Sequence, residues 1–235
     1  MNEIAQGKEV LKPLQRRMRF RRFSTVQLLI ALALLFFSFP FVEELEGGDI
    51  IVSILLSLVL LAAVVAVAHR KGALLIAVLL LIPAIGGRWI NHFRPDLVPA
   101  PVFLTAALIL IAFIVANLLH FVLRAPSVNA EVLCASISAY LMLGLMWTVA
   151  YWLVDQLNPE AFAFSSIADK HSMRGFNAFY FSFITLSTVG YGDITPVTRI
   201  ARWLAAMEAM TGLLYVAVLI ARLVSLYSSA RDRNS

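Results

Sequence analysis

The stretch Ile50–Ala68 runs for nineteen residues without a single charge. At about 1.5 Å of rise per residue, a helix of that length crosses a hydrocarbon core of about 30 Å. Further apolar runs occupy Thr25–Val42, Ala73–Ile85, Val102–Leu123, Val132–Val154 and Trp203–Tyr227. Hydrophobic residues make up 61% of the 235-residue chain and charged residues 14%. A water-soluble domain of this size cannot hide that much apolar surface, so the chain reads as an integral, all-α membrane protein.

The third run, Ala73–Ile85, is short and contains Pro83. By itself it reads equally well as a re-entrant segment, but charge favours a crossing. Lys and Arg concentrate on the cytoplasmic side of membrane helices. With the N-terminus inside and six crossings, thirteen of the nineteen Lys and Arg fall on inner segments. Without the third crossing, the basic leader or the C-terminal half would have to flip. Six helices with both termini cytoplasmic are therefore expected, the third completed by flanking residues or local bilayer thinning. Gly87–Asp96 then reads as an outer loop, with Trp89 as an interfacial anchor.

Residues 1–24 carry seven Lys and Arg against Glu3 and Glu9. This leader reads as topology-setting and headgroup-binding, and in a sharper reading as a sensor of anionic lipid. No small-residue cleavage site follows the first run, so a retained helix is expected. The basic residues sit beside membrane segments and not on a polar fold with interleaved aromatics, so nucleic acid is not an expected partner. The single cysteine, Cys134, allows no intrachain disulfide and no cysteine-rich metal site.

Between the last two crossings lies TLSTVGYGD, Thr185–Asp193. Irregular backbone at membrane depth persists only where protein buries it or where it lines a watery path. Gly190 and Gly192 can take dihedrals other residues avoid, which lets successive carbonyls converge on one side. A column of such oxygens can replace the water shell of a monovalent cation. The preceding Gly175–Ser187 has the length of a half-helix, and its C-terminal end would aim partial negative charge at a waiting cation.

TVGYGD after an aromatic-rich half-helix, followed by a proline and an apolar helix with a central glycine, resembles the potassium channels. The resemblance covers about Glu131–Tyr227; the four helices before it match only in number. It implies a re-entrant pore half-helix and filter loop between the fifth and sixth helices. K+ would be coordinated by Thr188, Val189, Gly190 and Tyr191, with the Thr188 hydroxyl at the innermost site. Gly192 would allow the outer turn, Asp193 would sit behind the outer mouth, and Gly212 would be the inner-helix hinge. An ion needs oxygens on all sides, so the resemblance implies a homotetramer. It implies no cofactor beyond the transported K+. Many voltage-gated relatives have two tryptophans where this chain has Tyr180 and Phe181. Those ring nitrogens brace the filter; here the Tyr180 hydroxyl is expected to brace Asp193.

The domain reading that follows is a basic cytoplasmic segment 1–24, a four-helix domain 25–126, a pore domain 127–228 and a short cytoplasmic tail 229–235. With a tail this short, no appended ligand-binding domain is expected. Moving one charge through the membrane field is worth roughly 2.3 kcal/mol per 100 mV, yet Val102–Leu123 contains no Lys or Arg. Little voltage dependence is expected.

Two readings stay open at Glu208: a pore-facing or filter-adjacent acid, or a structural acid bonded to neighbouring helices. Val216 and Ile220 follow Gly212 at helical spacing and either line the inner pore or pack on the fifth helix. Asn117 and His120 read as a bonded pair, and Arg222 as an arginine snorkelling to headgroups. A potassium-selective channel of the plasma or inner membrane is the leading function. Its rival is a non-conducting scaffold or regulatory subunit, which has no need of both glycines and the threonine. No set of catalytic groups suggests an enzyme.

Overall fold

The computed structural model describes residues 25–42, 45–68, 71–94, 96–165 and 172–232. The basic leader, Arg70, Lys170 and the last three residues lie outside the described residues. Seven helices and one short two-stranded ladder are present among those described. Helices α1 (Thr25–Val42), α2 (Gly48–Val67), α3 (Lys71–Phe93), α4 (Ala100–Leu123), α5 (Ala130–Leu157) and α7 (Arg199–Asp232) are the long ones. All six contain spans apolar and long enough to cross a membrane. Helix α6 (Gly175–Leu186) is short, with 12 residues, and sits between α5 and α7.

Local chemistry sets several boundaries. Asp49 lies in the first turn of α2, where a negative charge suits the helix dipole. Helix α4 has proline at its start, where the missing N–H has no intrahelical partner anyway. The Asn129 side chain accepts from the Val132 N–H at 2.9 Å and caps α5. Thr198 accepts from the Ala201 N–H and does the same for α7.

Helix α3 is longer than its apolar run. The stretch Gly87–Phe93, expected in an outer loop, is helical. Its polar groups find partners on α2, which removes the reason to leave the helix. Arg88 Nε donates to Ser53 Oγ at 3.1 Å and Trp89 Nε1 to Ser57 Oγ at 3.3 Å. The Arg88 guanidinium also lies 5.6 Å from the centre of the Trp152 ring on α5.

The main core joins the first four helices to α5 and α6. Leu28, Leu32, Leu35, Val59, Leu110, Ile114 and Met142 belong to one buried cluster, which reaches Phe179 and Leu186 of α6. Helix α1 meets α6 through aromatic rings: Phe36 stands edge-on to Phe179 and Phe183, and Phe39 stacks on Phe179 at 5.0 Å.

Two further expectations are corrected. The Asn117 amide turns back on its own helix and donates to the Phe113 carbonyl at 2.8 Å, not to His120. Arg222 reaches the α4–α5 connector, its Nη2 donating to the Ala125 carbonyl at 2.8 Å. A buried carbonyl within reach of the side chain is a nearer partner than a headgroup.

Candidate ion-filter loop

Helix α6 ends in a Schellman motif. The Thr188 N–H donates to the Thr185 carbonyl at 2.9 Å, and the Val189 N–H to the Ile184 carbonyl at 2.8 Å. Such a motif needs a left-handed residue just past the helix, usually glycine. Here that residue is Thr188, at φ 59°. A β-branched residue in this region is strained. The next left-handed residues are Gly190 at φ 54° and Gly192 at φ 81°. Val189 and Tyr191 between them do not have positive φ.

Beyond the loop the chain is pinned. Strand β1 (Phe162–Phe164) pairs antiparallel with β2 (Ile194–Pro196), with Ala163 opposite Thr195. The Ser165 N–H and hydroxyl both donate to the Asp193 carbonyl, at 2.8 and 3.0 Å. A second small core lies beneath this ladder, formed by Tyr151, Phe162, Met173, Phe181, Ile194 and Ala201. Phe181 belongs to it by packing alone, its ring edge-on to Tyr151 at 4.9 Å. The ladder was not visible in the apolar pattern, because three-residue strands carry too little periodicity.

The Tyr180 hydroxyl lies beside the Asp193 carboxylate. Its ring lies parallel to that of Tyr191, with centres 6.5 Å apart. Asp193 Oδ1 is buried and has no partner among the described residues. Val189 and Tyr191 are 52% and 72% exposed on the single chain. The oxygens along Thr188–Gly192 are the backbone carbonyls and the Thr188 and Tyr191 hydroxyls. Among the described residues, no group of three His, Cys, Asp or Glu could hold a metal ion.

Two glycines let neighbouring helices close on α6. A Cβ at Gly144 of α5 would come within 2.1 Å of the Phe183 ring. A Cβ at Gly212 of α7 would come within 2.1 Å of the Leu186 carbonyl oxygen. Gly212 thus sits at a backbone contact with the end of the half-helix, in a helix that runs unbroken through it.

Glu208, carried as a possible pore-lining residue, is closed in at 0% exposure. Tyr151 Oη lies 2.5 Å from Glu208 Oε2, and Ser182 Oγ 2.6 Å from Oε1. These partners occupy the faces through which a pore-lining acid would meet ions, so the geometry agrees with an acid bonded to neighbouring helices. Val216 and Ile220, by contrast, are 44% and 55% exposed. Sequence reading passed over Tyr151, Ser182 and Gly144. A signal existed: an acid inside a membrane helix requires donors from its neighbours, and hydroxyls on α5 and α6 were the groups able to serve.

Residues 145–229 match the family described as "Ion channel". The Arabidopsis thaliana two-pore potassium channel 4 is 47% identical over 49 residues, 21% of this chain and 17% of that protein. Protein LctB of Geobacillus stearothermophilus is 48% identical over 48 residues, 20% of this chain and 35% of that protein. The Oryza sativa subsp. japonica two pore potassium channel b is 31% identical over 84 residues, 36% of this chain and 21% of that protein. The similarity of residues 145–229 is thus to an ion-channel family and to parts of proteins named as potassium channels. The similarity is to channels and not to an enzyme, and six long apolar helices make the protein multi-pass in the membrane. The chain spans between about a sixth and about a third of the length of these relatives.

Proposed function

We propose that the chain is one subunit of a homotetrameric, potassium-selective channel that passes K+ passively. Thr188, Val189, Gly190 and Tyr191 supply the coordinating oxygens, Gly192 the outer turn, and Asp193, Tyr180 and Phe181 the support. The observation that carries this reading is the alternation of backbone handedness at Thr188, Gly190 and Gly192. In an ordinary strand, successive residues face opposite sides. Inverting every second residue brings the carbonyls toward one side, and such a column can replace a cation's hydration shell. Helix α6 adds the partial negative charge of its C-terminal end.

One loop covers one side of an ion, so four chains around an axis complete the site. The open surface of α7 supports assembly: 11% of its span is buried against the rest of the chain, compared with 56% for α5. Val216 and Ile220 lie on that open surface and are assigned to the inner pore, where apolar rings gate by dewetting. Gly212 is assigned as the hinge of α7. Helix α4 carries no Lys or Arg before Arg124, which supports a channel that is not conventionally voltage-gated. The protein is assigned to the plasma or inner membrane with both termini cytoplasmic, the basic leader against anionic lipid. No cofactor beyond the transported ion is invoked. Relatives named as potassium channels support the choice of ion.

Purified protein in liposomes with a K+ gradient tests the reading. K+ flux without matching Na+ flux is expected, and Gly190→Ala should abolish it because alanine is strained at φ 54°. K+ flux that survives Gly190→Ala would overturn the filter assignment.

A further inference from the structure

Glu208 stands in a row of oxygens that joins three helices. Tyr151 Oη of α5 lies 2.5 Å from Glu208 Oε2, and Glu208 Oε1 lies 2.6 Å from Ser182 Oγ of α6. Ser182 Oγ lies 2.8 Å from the Gly144 carbonyl oxygen of α5. Each of these three oxygen–oxygen contacts needs one hydrogen. Tyr151 and Ser182 own one hydroxyl hydrogen each, and the Gly144 carbonyl owns none. An ionised carboxylate therefore leaves one contact empty: the Ser182 hydrogen can point at Gly144 or at Glu208, not at both. Two buried oxygens would then face each other at 2.6 or 2.8 Å with no hydrogen between them.

A carboxylic acid supplies the third hydrogen. Tyr151 donates to Oε2, the protonated Oε1 donates to Ser182, and Ser182 donates to the Gly144 carbonyl. Every contact is then filled, and every donor has an acceptor.

We propose that Glu208 is held as a neutral carboxylic acid whose proton closes a hydrogen-bond chain from α5 through α7 into α6, making it a positioning residue for the filter. The groups acting on it are Ser182 from α6 and Tyr151 from α5, with Tyr140 of α5 further away. None of these is a cation that would hold a carboxylate in place.

The register of α7 on α6 explains why the filter is sensitive to this chain. Glu208 meets Ser182, and Gly212, one turn on, meets Leu186, also one turn on. Two contacts spaced alike on both helices fix α6 along its axis. The carbonyls of Ile184 and Thr185, between those contacts, receive the first amides of the filter loop. A shift of α6 is therefore a shift of Thr188 and Val189.

The positioning role rests on the channel reading; the protonation of Glu208 does not. The test is infrared spectroscopy of the purified full-length protein, combined with K+ flux from liposomes. Wild type minus Glu208→Gln should show the carbonyl stretch of a protonated carboxylic acid. Glutamine reproduces the neutral acid's pattern, its amide donating to Ser182 and its oxygen accepting from Tyr151, so this variant should keep wild-type flux. Glu208→Ala leaves the Tyr151 hydroxyl without its acceptor and should cost the flux about tenfold. A difference spectrum without the acid band, or Glu208→Gln as damaging as Glu208→Ala, overturns the proposal. Wild-type protein that carries the band but passes no K+ overturns the channel reading and leaves the proton where it is assigned.

Discussion

Thr188 holds two roles that pull against each other. As the left-handed residue of the Schellman motif it ends α6, a position glycine fills without strain. As threonine it keeps a hydroxyl at the start of the loop. An L-residue in the left-handed region costs about 1–2 kcal/mol. Thr188→Gly should therefore raise the apparent melting temperature of the purified protein. The gain is partly offset by the extra freedom of glycine in the unfolded chain, roughly 0.4–1 kcal/mol. The same variant should lose K+ selectivity, since the hydroxyl goes. A melting temperature lowered by this substitution would show that the left-handed geometry at 188 is not a source of strain. The residue types of the loop were legible in the sequence, because TVGYGD carries both glycines in order. The left-handed threonine was not: nothing in its identity announces a dihedral that its own branched side chain disfavours.

At the scale of elements, close approach separates glycines that look alike in sequence. Gly212 meets the Leu186 backbone oxygen, which no rotamer change can move aside. Gly212→Ala should push α7 off α6 and destabilise the protein by about 1–3 kcal/mol, the range for overpacking a close contact. Gly86, in the interior of α3, has nothing within 4 Å of its missing Cβ. Gly86→Ala should be neutral or stabilising by up to about 1 kcal/mol. Thermal unfolding of the two variants side by side checks the contrast; equal effects would remove the close-contact account of Gly212. The same contrast explains where reading the sequence ran short. The apolar run stops at Ile85, and Gly87–Asp96 reads as an outer loop. In the fold, Ser53, Ser57 and Trp152 on other helices take up Arg88 and Trp89, and the helix continues to Phe93. Partners on distant segments leave no local mark.

For the whole molecule, the long apolar runs made the membrane class and the number of long helices legible, because lipid thickness fixes helix length. The contact of α1 with α6 through Phe36, Phe39, Phe179 and Phe183 was not legible, since lipid-facing and protein-facing phenylalanines look the same in an apolar run. Glu208 shows the same limit at a polar site: the acid was conspicuous, but its partners lie 57 and 26 residues away in sequence. The single chain leaves Val189, Tyr191 and the face of α7 open, and in the proposed tetramer these surfaces meet their own copies around an ion path. The most direct measurement is the reversal potential of the reconstituted protein in a planar bilayer, with K+ on one side and Na+ on the other. A reversal potential displaced far toward the K+ equilibrium value is expected. A value near zero, with current carried by both ions, would contradict a potassium-selective filter built on Thr188–Gly192.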